Sequence, residues 1–229
     1  MPTGAPDWQG LRWKTETTIR PNLIHPTGKL FFVDLFDSAA MNWTKQEVAG
    51  ATVIKQTTTS FAGDSAIRIN IAGVAGSLGG ISKYFGLPIT KKIGLEARFT
   101  VPNIPDGILY FKLDYYDGTN VHGARFLWYD AGDKWTYIDK DGGIIDITDG
   151  SQDFFRSENC WQQIKMVADF DTGMYERLSV NDKTWDLSTV PVYTTASATK
   201  PSLEANIALY TVGGVVRTMY VDHVVLTEE

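Results

Sequence analysis

Charged and aromatic side chains alternate with apolar ones in three segments, residues 93–101, 107–116 and 123–130. Because neighbouring side chains of a β-strand point to opposite faces, this alternation predicts strands with one buried face and one polar, aromatic face. Aromatic rings stack on the C–H faces of sugars, and charged side chains bond sugar hydroxyls in pairs. The sequence therefore predicts a glycan-binding sheet face, with a solvated face crossed by ion pairs as the alternative. The candidate ligand-binding residues are Glu96, Arg98, Tyr110, Lys112, Asp114, Arg125 and Tyr129.

Two further aromatic residues, Trp135 and Tyr137, either extend this face or belong to the core, because the preceding turn leaves their phase open. The motifs of nucleophilic and zinc chemistry are missing from the sequence. The three histidines, His25, His122 and His223, lie in separate segments without a nucleophile-elbow glycine pattern, and no Cys-x-x-Cys is present. Cys160 precedes a strand and is expected to be a buried, inert thiol rather than a nucleophile.

The elements that position these residues are predicted to be short strands. Dipeptide turn signals such as Asp117-Gly118 and Asn181-Asp182 separate about a dozen strand-like segments, and no βαβ alternation or fixed-period repeat occurs. Residues 161–187 show the pattern most clearly, with two strands joined at Asp171-Thr172-Gly173. We expect an all-β, two-sheet antiparallel sandwich over residues 29–229. The predicted core contains Leu95, Phe99, Leu109, Phe111, Leu113, Ile164, Met166, Phe170, Leu178, Ile207 and Leu209, and Trp161 is expected to be largely buried.

Residues 1–28 differ from the rest because four prolines interrupt them and their apolar period is poor. Proline fixes φ and removes a backbone donor, so an extended N-terminal arm is predicted. Trp8, Leu11 and Trp13 are too apolar for a free tail. They are expected to dock either on the chain's own sandwich or on a neighbouring subunit, the latter giving self-association.

The composition of the 229 residues bounds the partners of the chain. Hydrophobic residues make up 43% and aromatic residues 12%, which suffices for a packed core. A net charge of −6 without any run of Lys or Arg argues against nucleic acid. No signal-peptide pattern and no stretch of roughly 20 apolar residues occurs, so a membrane span is not expected. The chain is predicted to be cytoplasmic or part of a particle, or extracellular if it is a mature form.

Three segments resemble the concanavalin A-like lectin and glucanase superfamily, whose jelly rolls include laminin-G-like domains and carbohydrate-binding modules. FFVDLFDSAAMNWTK (31–45) resembles the first strand of such modules and the loop that follows it. FAGDSAIRI (61–69) resembles their Gly-Asp-Ser-Ala strand entry. WQQIKMVADFDTGMYERLSVND (161–182) and MYVDHVVLTEE (219–229) resemble their late hairpin and closing strand. The resemblance implies a concanavalin A-like jelly roll for residues 29–229 and carries less information about activity.

The resemblance also implies where catalysis and metal binding would occur. Glycan-cleaving members carry Glu-x-Asp-x-x-Glu on one strand, which places two carboxyl groups about 5 Å apart. That motif is missing here, since Glu96 has no carboxylate two or four residues away. Related modules hold a structural Ca²⁺ where the first and last strands meet, and Asp34 and Asp222 are the candidate ligands. Polar edge positions are the alternative for these two residues.

Three functions remain open at this level. The first is a non-catalytic carbohydrate-binding or lectin-like module that uses the polar, aromatic face. The second is a structural or assembly protein, for example a particle or phage-type surface component, which uses the arm to connect subunits. The third is a polysaccharide lyase-like enzyme that relies on Tyr, Arg and Lys instead of two carboxylates.

Overall fold

The computed structural model describes residues 28–61, 63–103, 107–129, 132–148, 160–211, 213 and 216–229. Within this part of the chain there is no α-helix, and regular structure consists of sixteen strands. In chain order they are β1 (Lys29–Asp34), β2 (Thr44–Val48), β3 (Thr52–Gln56), β4 (Ala66–Ile71), β5 (Leu78–Phe85), β6 (Lys92–Asn103), β7 (Gly107–Tyr116), β8 (Asn120–Tyr129), β9 (Lys134–Ile138), β10 (Ile144–Asp146), β11 (Gln162–Asp169), β12 (Met174–Val180), β13 (Lys183–Asp186), β14 (Tyr193–Ala196), β15 (Ser202–Thr211) and β16 (Arg217–Glu228).

The strands form two antiparallel sheets of eight strands each. The first sheet has the order β13-β12-β11-β6-β16-β4-β3, with β1 also paired to β16. The second has the order β10-β9-β8-β7-β15-β5-β2, with β14 also paired to β8. The two sheets form a jelly-roll sandwich, which confirms the predicted fold class. The first and last strands lie side by side, as expected, with Asp34 opposite Val224.

The core lies between the sheets and is built from the apolar side of each alternating strand. All eleven predicted core residues are buried, among them Leu109, Phe111 and Leu113 of β7 and Leu95 and Phe99 of β6. Phe99 and Phe111 meet across the sandwich with ring centroids 5.3 Å apart. The large buried aromatic groups stabilise the sandwich by roughly 1.5–3 kcal/mol each before the entropy of ordering them is subtracted.

The structure corrects the predictions that Trp161 is largely buried and that Cys160 is buried. Trp161 and Cys160 are only half-buried, because both precede β11 and lie beyond the paired part of the sheet. Trp161 packs edge-on against Phe61 with centroids 6.0 Å apart. The open question about β9 is resolved in favour of the core, since Trp135 is fully buried and Tyr137 packs against Tyr175.

Three strands were not predicted, and all three lie at sheet margins. β2 and β13 are terminal strands of the two orders, and β14 pairs only with the beginning of β8. Most of their side chains are exposed. A strand without a buried face shows no hydrophobic alternation, so the sequence gives no signal for it.

The predicted N-terminal arm, residues 1–28, falls almost entirely outside the described residues. Its docking through Trp8, Leu11 and Trp13, and self-association through it, stay predictions. No helix in the described part of the chain is long and apolar enough to cross a membrane.

Candidate functional site

The outward side of the second sheet carries a compact group of polar and aromatic side chains. On β7, Lys112 and Asp114 alternate with core residues and so point away from the core. The register places Arg125 of β8 opposite Lys112, and Glu204 of β15 opposite Asp114. Directly opposed side chains of neighbouring strands are within contact distance. These four residues form what is called here the charged quartet.

Asp114 and Arg125 form a two-pronged ion pair. Arg125 donates from Nε to Oδ1 at 3.1 Å and from Nη2 to Oδ2 at 2.9 Å. Gly123 of β8 lies opposite Asp114 in the register and two residues before Arg125, and a Cβ atom at this position would lie 2.6 Å from Asp114 Oδ1 and 2.7 Å from Arg125 Nε. Because glycine has no side chain, the Asp114 carboxylate and the Arg125 guanidinium can contact each other directly over this position.

Lys112 connects the two carboxylates. Its Nζ lies 3.1 Å from Asp114 Oδ2 and 2.9 Å from Glu204 Oε2. Glu204 Oε2 also accepts a hydrogen bond from the Tyr116 hydroxyl at 3.0 Å. The quartet and Tyr116 thus form one continuous hydrogen-bonded network across three strands.

The network is more deeply buried than an ordinary solvated sheet face. The Asp114 and Glu204 side chains are 2% and 4% exposed, and those of Lys112 and Arg125 are 14% and 18% exposed. Burial disfavours the ammonium of Lys112, but the Asp114 and Glu204 carboxylates outweigh it and raise the pKa of Lys112. Burial and the Glu204 carboxylate raise the pKa of Tyr116 well above its ordinary value. Tyr116 is therefore a neutral donor at physiological pH.

Aromatic and amide side chains border the quartet. Tyr193 of β14 lies under the guanidinium of Arg125, with the cation 4.2 Å from the ring centre. Tyr84 of β5 lies opposite Glu204 in the register, is 56% exposed and has its ring 6.3 Å from that of Tyr116. On the same side, Asn206 donates from Nδ2 to Gln46 Oε1 at 2.9 Å.

The other two predicted residues of this sheet lie further along the strands. Tyr110 precedes Lys112 by two residues on the same face, is half-buried and has its pKa raised by burial. Tyr129 shares the face but lies four residues beyond Arg125, roughly 13 Å away along the strand. The structure therefore brings Tyr110, Lys112, Asp114 and Arg125 close together and leaves Tyr129 at the margin.

Glu96 and Arg98 do not belong to this face, so the prediction of one face with seven residues is wrong. Both residues lie on β6, which is in the first sheet. Their neighbours Leu95, Ala97 and Phe99 point into the core, so Glu96 and Arg98 point outward on the opposite side of the sandwich. Local alternation gives the face of a strand but does not say which sheet the strand joins.

The surroundings of Glu96 differ from the quartet. Oε1 of Glu96 is buried without a hydrogen-bond partner among the described atoms. Burial raises the pKa of Glu96 to about 7, although the nearby cations of Lys165 and Arg98 act in the opposite direction. Lys165 forms an ion pair with Glu229 at 2.5 Å, and Glu229 also binds Arg177 at 3.0 Å.

The predicted calcium ligands, Asp34 and Asp222, are both engaged by N–H donors, and calcium binding through them stays a prediction. Asp34 accepts hydrogen bonds from the Phe36 amide at 2.8 Å and from the Trp43 indole at 3.0 Å. Asp222 accepts from the Phe61 amide at 2.9 Å and the His223 amide at 2.7 Å. Each of these four carboxylate oxygens therefore accepts a hydrogen bond from an N–H group. No group of three or more His, Cys, Asp or Glu side chains in the described ranges could hold a metal ion.

His122 takes part in a short polar chain at one end of the sandwich. Its Nε2 lies 3.1 Å from Asp117 Oδ2, and its Nδ1 lies 3.4 Å from the hydroxyl oxygen of Thr194. The other oxygen of Asp117 closes the turn by accepting from the amides of Thr119 and Asn120. The Thr194 hydroxyl also donates to the Val192 carbonyl. These bonds tie β14 to the β7–β8 turn, which is a structural role.

Several residues of the site could not be found from the sequence. Glu204 and Asn206 alternate with the core residues Leu203, Ala205 and Ile207, so their outward direction was readable. Their proximity to Lys112 could not be predicted, because Lys112 and Glu204 are 92 residues apart in the sequence. Tyr193 lies on an unpredicted strand. Tyr84 and Tyr116 are the remaining residues of the site that the sequence did not single out, and both lie at or near the ends of their strands.

Comparison with known proteins gives matches only at the level of structure. No protein-family model matches the sequence, and no curated protein matches it. The endo-β-1,4-glucuronan lyase of the fungus Trichoderma reesei has a TM-score of 0.63 at 12% identity, covering 88% of this chain and 96% of the lyase. A carbohydrate esterase of the Shiga toxin-encoding bacteriophage phi24B has a TM-score of 0.56 at 15% identity, covering 89% and 100%. The carbohydrate recognition domain of Emp47p has a TM-score of 0.52 at 14% identity, covering 89% and 98%.

Identities of 12–15% over nearly the whole of each chain indicate a shared architecture rather than a shared activity. The chain therefore has the fold of the concanavalin A-like jelly rolls.

Proposed function

We propose that this protein is a non-catalytic carbohydrate-binding module, and that its ligand lies on the outward face of the second sheet. One observation carries the proposal: the charged quartet is buried, internally paired and bordered by tyrosines. An exposed face with ordinary surface ion pairs would have mobile, well-hydrated side chains. Here the donors of Lys112 and Arg125 are held in fixed directions by the carboxylates beneath them.

Such an arrangement suits sugars because binding needs rigid polar groups beside an apolar surface. The guanidinium of Arg125 has five N–H donors, and the Asp114 fork uses two of them. Tyrosine rings such as Tyr84 and Tyr193 supply flat surfaces for sugar C–H groups. Because the side chains are already ordered, a ligand loses less entropy on binding.

The structural neighbours agree with a carbohydrate ligand. The three proteins compared above are a glucuronan lyase, a carbohydrate esterase and a carbohydrate recognition domain. Their likeness to this chain concerns the fold, so it supports the class of ligand and not the reaction.

A lyase-like activity is the second candidate, and the quartet favours binding over it. Abstraction of a proton beside a uronate carboxyl group needs a base with a suitable pKa and a cation that neutralises that carboxyl group. The pKa values of Tyr110 and Tyr116 are raised, so both phenols are neutral at physiological pH. Lys112 and Arg125 are both engaged by Asp114.

A glycan microarray followed by calorimetric titration of the best ligand tests the proposal. We expect Arg125→Ala and Tyr110→Ala to lower affinity at least tenfold. Arg177→Ala is a matched control, because it removes an arginine–carboxylate pair from the other sheet and should leave affinity unchanged. Circular dichroism and melting temperature would establish that each variant is folded.

Two results would contradict the proposal. One is the lack of binding to any glycan by the folded wild-type protein. The other is equal loss of affinity in Arg177→Ala and Arg125→Ala, which would place the ligand elsewhere. Appearance of unsaturated sugar ends during incubation with a polyuronate would replace binding by the lyase-like activity.

A further inference from the structure

The charged quartet has no net charge. Two cations, Lys112 and Arg125, face two carboxylates, Asp114 and Glu204, with closest contacts of 2.9 to 3.1 Å. A third cation of the same sheet, Lys134 of β9, is paired with Asp146 of β10 at 2.6 Å. Among the described residues, each of these cations therefore has its own carboxylate partner.

We propose that this face selects uncharged glycans and rejects those that carry uronate or sulfate groups; this inference rests on the proposed function. A ligand carboxylate that reaches Lys112 or Arg125 must give up its hydration. The attraction it gains from each cation is largely cancelled by Asp114 and Glu204, which lie at hydrogen-bond distance from the same cations. The net electrostatic gain is small, while the cost of dehydration stays.

A sugar hydroxyl meets the same groups without that cost. It accepts a hydrogen bond from an unused N–H of Arg125 or Lys112 and can itself donate to a carboxylate or amide oxygen. Lys112 has three donors, and Asp114 and Glu204 account for two of them. The buried carboxylates therefore act as fixed supports that orient donors toward a neutral acceptor.

The position of Tyr193 strengthens the argument. Its ring covers one face of the Arg125 guanidinium at 4.2 Å. The Asp114 fork occupies one edge of the same group. The Nε–Nη2 edge, one of the two edges through which arginine binds a carboxylate in two-pronged geometry, is therefore closed to an anion.

The experiment compares neutral oligosaccharides with a uronate, and two of these ligands differ only at C6. Isothermal titration is performed with gluco-, manno- and xylo-oligosaccharides, and with a β-1,4-glucurono-oligosaccharide of the same length as the β-1,4-gluco-oligosaccharide. We expect at least one neutral oligosaccharide to bind at least tenfold more tightly than the uronate. The uronate affinity is expected to be near the limit of detection.

Glu204→Gln tests the electrostatic cause, because the amide keeps the shape and the acceptor oxygen but gives the network a net charge of one positive unit. The ratio of neutral to uronate affinity should fall at least fivefold. Glu176→Gln is the matched control: it removes the same charge from a Lys92–Glu176 pair on the first sheet. Its ratio should equal that of the wild type.

The outcomes distinguish failure of the proposed selectivity from failure of the proposed glycan binding. Equal or tighter binding of the uronate by the wild-type protein overturns the selectivity while glycan binding stands. An unchanged ratio in Glu204→Gln, or the same change in Glu176→Gln, overturns the electrostatic cause and with it the inference. Failure of both neutral and uronate ligands to bind the folded protein overturns the proposed function together with the inference.

Discussion

The outward faces of the two sheets solve the same physical problem in different ways. On the second sheet, Asp114 and Glu204 are buried and fully engaged by Lys112, Arg125 and Tyr116. On the first sheet, Glu96 is buried with one oxygen that lacks a hydrogen-bond partner. A buried carboxylate that is paired stays charged, and one that is not paired approaches neutrality. Similar alternating sequences thus give one network of paired side chains and one buried carboxyl group whose pKa is raised.

The largest expected effect comes from breaking the quartet. Asp114→Ala leaves Lys112 and Arg125 short of a partner, so the free energy of unfolding should fall by about 3 kcal/mol or more. Asp171→Ala is the control, because its pair with Lys91 is mostly exposed and should contribute little to stability. Urea denaturation of both variants measures the difference. Equal small losses would show that the quartet is no more than a surface network.

Glu96 should show its effect through pH. Its pKa is raised from 4.5 to about 7 in the folded state. Between those values the folded state keeps a proton that the unfolded state releases, so this residue lowers stability as pH rises toward 7 and its effect is constant above that. Glu96→Gln should therefore match the wild type near pH 4 and exceed it by up to about 3 kcal/mol near pH 8.

Denaturation of wild type and Glu96→Gln at several pH values measures this difference. Glu176→Gln is the control, and its difference from the wild type should be below about 1 kcal/mol throughout. A pH-independent difference for Glu96→Gln would contradict the assignment.

Gly123 should be intolerant of even one added carbon. Gly123→Ala pushes a methyl group against Asp114 and Arg125 and should cost about 1–3 kcal/mol of stability. Gly86→Ala is the control, since a Cβ there meets nothing within 4 Å. Thermal denaturation of the two variants compares them. If Gly123→Ala and Gly86→Ala have the same melting temperature, the fold does not require the close approach of Asp114 and Arg125 to Gly123.

The smallest effect is expected for the ring below Arg125. Tyr193→Leu removes the cation–π contact and should lower the free energy of unfolding by about 0.5–1 kcal/mol. Tyr193→Phe keeps the ring and should be close to the wild type. Combining each variant with Arg125→Ala in a double-mutant cycle isolates the contact. A coupling energy of zero would mean that the two side chains only lie near each other.

The sequence predicted what short-range patterns determine and missed what long-range pairing determines. Alternation along β6 and β7 correctly separates Leu95 and Leu109 from Glu96 and Lys112, because the side-chain period of a strand is local. It cannot tell that β6 and β7 belong to different sheets, since each finds partners far away in the chain. For the same reason, the sequence did not predict that Glu204 belongs to the site. Edge strands such as β14 were not predicted because strands without a buried face show no hydrophobic alternation.

The strand orders also determine when the molecule can fold. β15 lies between β7 and β5 in the second sheet, and β16 lies between β6 and β4 in the first. Both central strands come from residues 202–228, after every other strand has been synthesised. Until then a nascent chain exposes the unpaired edges of four long or buried strands, which are prone to wrong pairing. Folding of this sandwich is thus expected to be slow and to wait for residues 202–228, with a need for protection of the growing chain until then.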